Sequence, residues 1–323
     1  MIHRRSLLAA PVAALPAAIG RPSVARAQAR YPDRPVTIVV GFGPGGLTDV
    51  MARYLAEVVR EKLGASVVVE NRPGAGATIA TQRVAQARPD GYTLTIVTSS
   101  PFTIFPHLQT VPYDVRKDFT FIGQFLVTPT PAYVLSSYPA RSWQELIARA
   151  RAQPDSLRWT SSGARGAAHI ATEAALRKEG VQATYVPFTG IADGITSLLN
   201  GTIDMIVSSD YAPLLQDDKV RLLVEIGTER LAGMESIPTF GELGYPLPTQ
   251  IFYGLGGPAR LPAEIVATWE GLLREAVASE GWQELMRRYY AVPAFMGHKD
   301  FTARVLGDYE RIGPVIRQLG FKI

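Results

Sequence analysis

The chain has 323 residues and a formal charge of +4, is 47% hydrophobic, and holds no cysteine. Disulfides, Cys-ligated zinc and thiol catalysis are therefore excluded, and the fold must rest on a packed core. Four arginines and no acidic residue fall in the first 29 positions, so beyond them 29 basic residues balance 29 acidic ones. With no basic stripe elsewhere, no nucleic-acid partner is expected.

Residues 1–29 open with His3, Arg4 and Arg5, continue through an apolar run over 7–19, and close on Ala27-Gln28-Ala29. This pattern predicts an export signal cleaved before Arg30, and hence a periplasmic location. The pair Arg4-Arg5 permits a twin-arginine route beside the ordinary secretory one. The apolar run is short and proline-broken, too little for a membrane span.

Strand 36–40 leads through Gly41-Phe42-Gly43-Pro44-Gly45-Gly46-Leu47-Thr48-Asp49 into an amphipathic helix from about 50 to 62. Strand 67–70 leads through Asn71-Arg72-Pro73-Gly74-Ala75-Gly76 into helix 78–87, and strand 93–97 ends at Ser99-Ser100. The plan then repeats. Strand 157–160 leads through Ser161-Ser162-Gly163-Ala164-Arg165-Gly166 into helix 168–178. Strand 183–187 leads through Phe188-Thr189-Gly190 into helix 191–199, and strand 204–207 ends at Ser208-Ser209-Asp210. Alternating short strands and helices predict α/β architecture with doubly wound, mainly parallel sheets. Right-handed crossovers put every strand-to-helix loop on one edge of its sheet, where ligands bind. Two such sheets facing each other would enclose a cleft lined by six of these loops.

Between the copies lie strand-like segments at 119–125 and 132–136, and a Gly/Pro-dense link from about 228 to 250 precedes strand 251–257 and helix 262–279. Two crossings make a hinge. The expected division is 30–128 plus 241–323 for a discontinuous first domain and 129–240 for the second.

A glycine turn on a helix N-terminus offers unpaired N–H groups and the positive dipole end to an anion. Two loops of the first domain fit: Phe42, Gly45, Gly46, Leu47, Thr48 and Asp49, then Gly74, Ala75, Gly76, Ala77 and Thr78. Asp49 favours helix capping over ligand contact. Ser99, Ser100 and Ser162 end strands at the same edge and could bond a polar ligand. Asp210 could accept from a hydroxyl or ammonium group, and His169 sits early enough in its helix to face the cleft. Arg72 reads equally as an anion clamp or a solvent-facing side chain.

Gly41-x-Gly43-x-x-Gly46 also matches a dinucleotide-binding pattern, with Glu70 placed for a ribose. An exported NAD(P)-dependent oxidoreductase is thus an alternative. Pro44 weakens it by removing an N–H from the loop, as does a second copy lacking the pattern. No metal-ligand spacing, nucleophile elbow or phosphate loop occurs, so neither catalysis nor a cofactor or metal is expected.

Taken in order, Tyr31-Pro32-Asp33-Arg34-Pro35, the 42–49 loop, Glu70-Asn71-Arg72-Pro73-Gly74-Ala75-Gly76, Pro89-Asp90-Gly91-Tyr92, Val186-Pro187-Phe188-Thr189-Gly190 and Gly256-Gly257-Pro258-Ala259 resemble a family. It is the periplasmic solute-binding proteins of tripartite tricarboxylate transporters, the Bug or TctC-like family, and the likeness covers the chain beyond residue 30. The resemblance implies a two-domain Venus-flytrap (type II) periplasmic binding fold closing on a small carboxylate: a di- or tricarboxylate, an acidic amino acid or an aromatic acid. It implies a carboxylate held by N–H groups of the two first-domain loops, a two-component permease as partner, and a monomer. A ligand sensor serving a signalling partner is a further alternative. Five positions depart from the family pattern: Gly41 replaces a proline, Arg165 a glycine, Gly166 a hydroxyl residue, Phe188 a tyrosine, and Thr189 a lysine. Arg165 is expected to reach the ligand's distal polar group or to face solvent, and Phe188, Thr189 and Gly190 to contribute the second domain's loop.

Overall fold

The structure is a computed structural model describing residues 31–188 and 190–321; the export signal lies outside the described residues. The first sheet holds β1 (Val36–Val40), β2 (Val67–Asn71), β3 (Thr93–Thr98), β4 (Phe119–Thr128), and later β10 (Ile251–Pro258) and β11 (Val292–Met296). The second holds β5 (Pro131–Leu135), β6 (Leu157–Ser161), β7 (Ala183–Tyr185), β8 (Met205–Val207) and β9 (Val220–Glu225). Helices α1 (Leu47–Leu63), α2 (Thr78–Ala85) and α3 (Phe105–Leu108) belong to the first repeat. Helices α4 (Trp143–Ala152), α5 (Ala167–Lys178), α6 (Ile191–Leu199) and α7 (Ala212–Gln216) surround the second sheet. Three more, α8 (Ala263–Ala278), α9 (Glu280–Tyr289) and α10 (His298–Gln318), follow β10. No helix of the described residues is long and apolar enough to cross a membrane.

The repeat is visible in the strand order, β2-β1-β3-β10-β4-β11 in one sheet and β7-β6-β8-β5-β9 in the other. In each, the three strands of the repeated unit pair in parallel. The fourth, β10 or β5, runs antiparallel to both neighbours. The sheets are thus mixed, and the reversal has a geometric cause. Strand β4 reaches the carboxyl edge of its sheet at Thr128 and enters the second sheet as β5 after two residues. A strand that leaves at one carboxyl edge and enters at the facing one must run backwards there. The return from β9 to β10 obeys the same rule, so β5 and β10 mark the crossings, while the edge strand β11 is also reversed against β4.

Local chemistry explains the elements. In α1 the buried Met51, Ala52, Leu55 and Val59 form one face, and Gly64 at φ 66° ends the helix by donating its N–H to Arg60 O. The second sheet's core is built around the fully buried Trp143 and Trp159 and the alanine face of α5 (Ala168, Ala171, Ala175). A separate cluster joins Ile104, Phe105 and Leu108 to Ala167, Ile170 and Ala174 of α5 and Ile312 and Ile316 of α10. Small alanines let α5 approach closely, so this apolar seam links elements of both repeats.

At the crossings, the fully buried carboxylate of Glu225 ends β9 and accepts from Thr130 N at 2.8 and 3.0 Å. One acid therefore fastens the incoming strand to the outgoing one. Burial pushes its carboxyl up to about 8, although N–H groups of Thr130 and Gly227 donate to it. Because the folded pKa lies above the unfolded value near 4.5, its contribution to stability is complete at acid pH and declines as pH rises toward 8. The shift corresponds to on the order of 4 kcal/mol. Glu225→Gln keeps an acceptor for Thr130 but cannot ionise. Thermal melts are expected to show the wild-type melting temperature falling between pH 5 and 8 by more than that of Glu225→Gln, a difference absent if Glu225 is ionised throughout.

Candidate functional site

A cleft of about 370 Å³ opens between the facing carboxyl edges. Its lining comes from loops after five of the six repeated strands: Phe42, Gly46, Leu47 and Thr48 after β1; Gly76 after β2; Thr98, Ser99 and Ser100 at the end of β3; Ser162 to Ala164 and Gly166 to Ala168 after β6; Ser209 and Asp210 after β8. The crossings supply the floor through Thr128, Thr130, Ile251 and Tyr253, and Phe105 supplies one wall. The loop after β7 was expected to be the sixth; neither Phe188 nor Gly190 lines the cleft. Thr189 lies outside the described residues. Phe188 packs instead against the apolar cluster of Ile191, Ile195 and Tyr211, because its ring is better buried there than beside water.

Two helices aim their N-termini into this space. Helix α1 starts at Gly46 and α5 at Gly166, and neither has a side-chain cap from its own N-cap residue. Elsewhere three helix starts carry side-chain acceptors, α4 through Ser142 Oγ accepting from Glu145 N, α9 through Ser279 Oγ accepting from Trp282 N, and α10 through Glu270 accepting from His298 N, whereas α6 and α8 start without one, as α1 and α5 do. Uncapped N–H groups at Leu47 and Thr48 thus face the cleft with the positive dipole end behind them. At α5, Ala167 N donates to Ser100 Oγ at 3.2 Å, a bond from the first repeat to the second. The helix begins at Leu47 rather than near Val50, because a glycine N-cap gives no polar residue to mark the boundary.

The first loop is held from below. Asp49 is buried and accepts from Gly45 N, Arg53 Nε and Asn71 Nδ2, each at 2.9 Å. These bonds, led by that from Arg53, hold its carboxyl down at about 2. Asp49 therefore braces the loop and does not line the cleft; it accepts from Gly45 N ahead of the helix instead of capping the helix start as expected. Asn71 also donates to Phe42 O, tying the end of β2 to the loop. The second loop sits against the first. A Cβ on Gly41 would lie 2.3 Å from Ala77 Cβ, so the position occupied by proline in the family pattern must here be glycine. Gly76, at φ 65°, presses on the Phe105 ring, where a Cβ would come within 2.1 Å. Thr78 Oγ1 donates to Ala75 O within the same turn.

Of the remaining residues expected at the site, Gly45, Gly74, Ala77 and Thr78 shape the loops without lining the cleft, and Ala75 lines a smaller neighbouring cavity of about 180 Å³. Arg165 lines that cavity and another beyond it, not the cleft. Its φ of 61° is the left-handed conformation that glycine adopts freely, which accounts for the glycine of the family pattern and turns the side chain aside. His169 also faces away. Its ring stacks on Tyr185 at 3.8 Å, its Nδ1 accepts from Arg165 N, and burial lowers its pKa to about 4, so it is neutral. Arg72 pairs with Glu70 at 2.5 Å, and Glu70 also accepts from Arg83. Both lie along an open groove of about 720 Å³ with Arg34, which is itself paired with Asp90. That groove is larger than the cleft, but its three named arginines already spend their charge within the chain. The acid placed for a ribose in the dinucleotide alternative is therefore occupied by two guanidinium groups.

Sequence reasoning missed Thr98, Thr128, Thr130 and Tyr253. Thr98 Oγ1 is buried and has no hydrogen-bond partner within the chain, though it lines the cleft. Strand-end position could have flagged Thr98, as it did Ser99. Ser99 Oγ accepts from Phe252 N, which leaves its hydroxyl hydrogen and one lone pair.

Asp49 is the brace whose removal is most informative. Asp49→Ala strands Gly45 N and leaves Asn71 Nδ2 only Phe42 O, and the expected loss is about 1–3 kcal/mol in denaturant melts. The wild type loses this contribution as pH falls from near 4 toward 2, whereas Asp49→Asn shows a flatter acid limb. Equal acid limbs would assign the brace to packing.

Residues 51–321 match the family model described as tripartite tricarboxylate transporter family receptor. A Cupriavidus necator protein, described as a UPF0065 protein in the gbd 5' region, is 30% identical over 323 residues, covering 99% of this chain and 98% of its own. An adipate-bound protein from R. palustris superposes with a TM-score of 0.77 at 30% identity, covering 90% of this chain and 98% of its own. MatC from Rhodopseudomonas palustris with bound malate gives 0.75 at 26% identity, covering 88% and 100%. With most of its length matched by the receptor model and the same two-sheet fold, the chain belongs to the tripartite tricarboxylate transporter receptor family, the Bug/TctC solute-binding proteins.

Proposed function

We propose that this protein captures a small organic carboxylate in the periplasm and delivers it to a two-component membrane permease, without catalysing a reaction on it. The observation that carries this reading is the pair of glycine-capped helix N-termini, α1 and α5, that reach one cleft from opposite sheets. Main-chain N–H groups and dipole ends favour an anion. Thr98 Oγ1, buried and without a partner, adds a hydroxyl pointed at the same space. Relatives seen with malate and adipate support a carboxylate as that anion. The grip belongs to Phe42, Gly46, Leu47, Thr48 and Gly76 together with Ser99, Ser100, Ser162 and Asp210.

In this reading the moving units are 30–128 with 241–323 and 129–240, and the two crossings bend between them. Ser100 then acts at closure: its bond to Ala167 N exists only while the sheets face each other closely. The apolar seam around Phe105 and Ile170 favours the same closed arrangement. Closure removes water from the anion and strengthens each N–H contact to it.

A thermal-shift screen of mono-, di- and tricarboxylates, aromatic acids included, tests the capture. A ligand at a hundredfold excess over its Kd should contribute about 2.7 kcal/mol, raising the melting temperature by several degrees. If every carboxylate leaves a cooperative melt unmoved, capture of a carboxylate is refuted. Uptake of the identified ligand by cells with and without the permease then separates transport from sensing.

A further inference from the structure

The described lining of the cleft contains no Lys, Arg or His, and Asp210 is its one carboxylate. An anion-binding cleft that carries a negative charge and no cationic side chain is an unusual inventory. Its N–H groups suffice for one carboxylate. A second carboxylate on the same ligand would find no cation in the described lining and would meet Asp210.

The loop after β8 holds Asp210 in place. Its N–H donates to Ser208 Oγ at 3.0 Å, and Ser208 Oγ donates to Asp210 Oδ2 at 3.2 Å. Ser208 in turn touches Tyr133 OH of β5 at 3.2 Å. The groups that meet Asp210 from neighbouring elements are Tyr133 from β5 and Tyr253 from β10. Both are phenols held neutral by burial, Tyr253 with its pKa pushed up to about 12. Asp210 is exposed to the cleft, whose protein walls raise its pKa above the ordinary carboxylate value. The side chain is thus an acceptor awaiting a donor.

Resting on the carboxylate-capture reading, we propose that Asp210 selects ligands carrying a carboxylate on one group and an ammonium or hydroxyl donor on another, and disfavours ligands with two carboxylates. The N-termini of α1 and α5 take the carboxylate, and Asp210 takes the donor. A donor satisfies the cleft's one charge, whereas a second carboxylate repels it across a walled, poorly screened space.

The test uses two probe series of matched length at neutral pH: butyrate, 4-hydroxybutyrate, 4-aminobutyrate and succinate, then hexanoate, 6-hydroxyhexanoate, 6-aminohexanoate and adipate. Calorimetry on the wild type should rank an amino or hydroxy member about tenfold or more above the dicarboxylate of its length. Asp210→Asn should level that ranking, tightening the dicarboxylate and weakening the amino member by about tenfold each. If Asp210→Asn fails to fold, Asp210→Ser replaces it, and the wild-type ranking is read without either. A dicarboxylate ranked first by the wild type, or a ranking unchanged in the variant, overturns the selection while leaving carboxylate capture intact. Failure of all eight probes also overturns the selection, and the broader carboxylate screen then decides capture separately.

Discussion

The arrangement depends on one topological constraint: the chain passes twice between two sheets whose carboxyl edges face each other. That constraint dictates the reversed strands β5 and β10, and it brings the strand-to-helix loops of both repeats to a common space. Glu225 is where the constraint becomes chemical. Its buried carboxylate accepts from Thr130 N, so the outgoing and incoming crossings meet through a single side chain. Burial raises its pKa to about 8, so near neutral pH the carboxyl is mostly protonated, and main-chain donors still satisfy its oxygens. Main-chain donors recur at the cleft, where helix N-termini supply them.

That recurrence explains why the cleft needs no basic residue. An arginine would bring its own flexible stem and a desolvation cost, whereas an N–H at a helix start is fixed in place by the helix behind it. Its direction is set by Asp49 under α1 and by the apolar seam beside α5. Glycine at both N-cap positions leaves the donors free of a cap from the same loop, and at α5 Ser100 Oγ of the first repeat takes the one at Ala167. The loops are equally constrained by contact, since Gly41 lies against Ala77 and Gly76 against Phe105. The two first-repeat loops therefore behave as one packed body, and a substitution in either is felt in the other.

Much of this was legible in the sequence, for reasons that also explain what was not. The repeated strand-loop-helix units were readable because hydrophobic period and glycine punctuation agree within each. Helix 191–199 was read to its ends, and β1 as well. The start of α1 was placed late for the same reason that it matters, namely that no cap residue announces it. Strand β9 and helices α4, α9 and α10 were not assigned. In α9 the boundary is concealed, because α8 runs into it with Ser279 serving both as the end of one helix and as the cap of the next. In α10 the internal Pro314 interrupts the pattern that would have revealed a long helix. Sequence also placed His169 and Arg165 by their distance from a helix start. Distance along a chain cannot show that Tyr185 offers the imidazole a stacking partner on the other side.

The departures from the family pattern carry a final lesson about charge. Arg165 puts a guanidinium on the lip of the second-repeat loop, but the left-handed backbone that glycine would take there turns it into side cavities. The arginine thus adds a cation to the chain without adding one to the described cleft lining. Asp210 does the opposite, adding a negative charge inside. Counting charges along the motif, Arg165 in place of glycine gains a cation and Thr189 in place of lysine loses one, which says nothing of what faces the cleft. Geometry decides that: the described lining is net negative in its side chains and positive only in its backbone. The ligand's carboxylate and its remaining groups are consequently read by different parts of the chain, the first by helix ends and the second by side chains after β8.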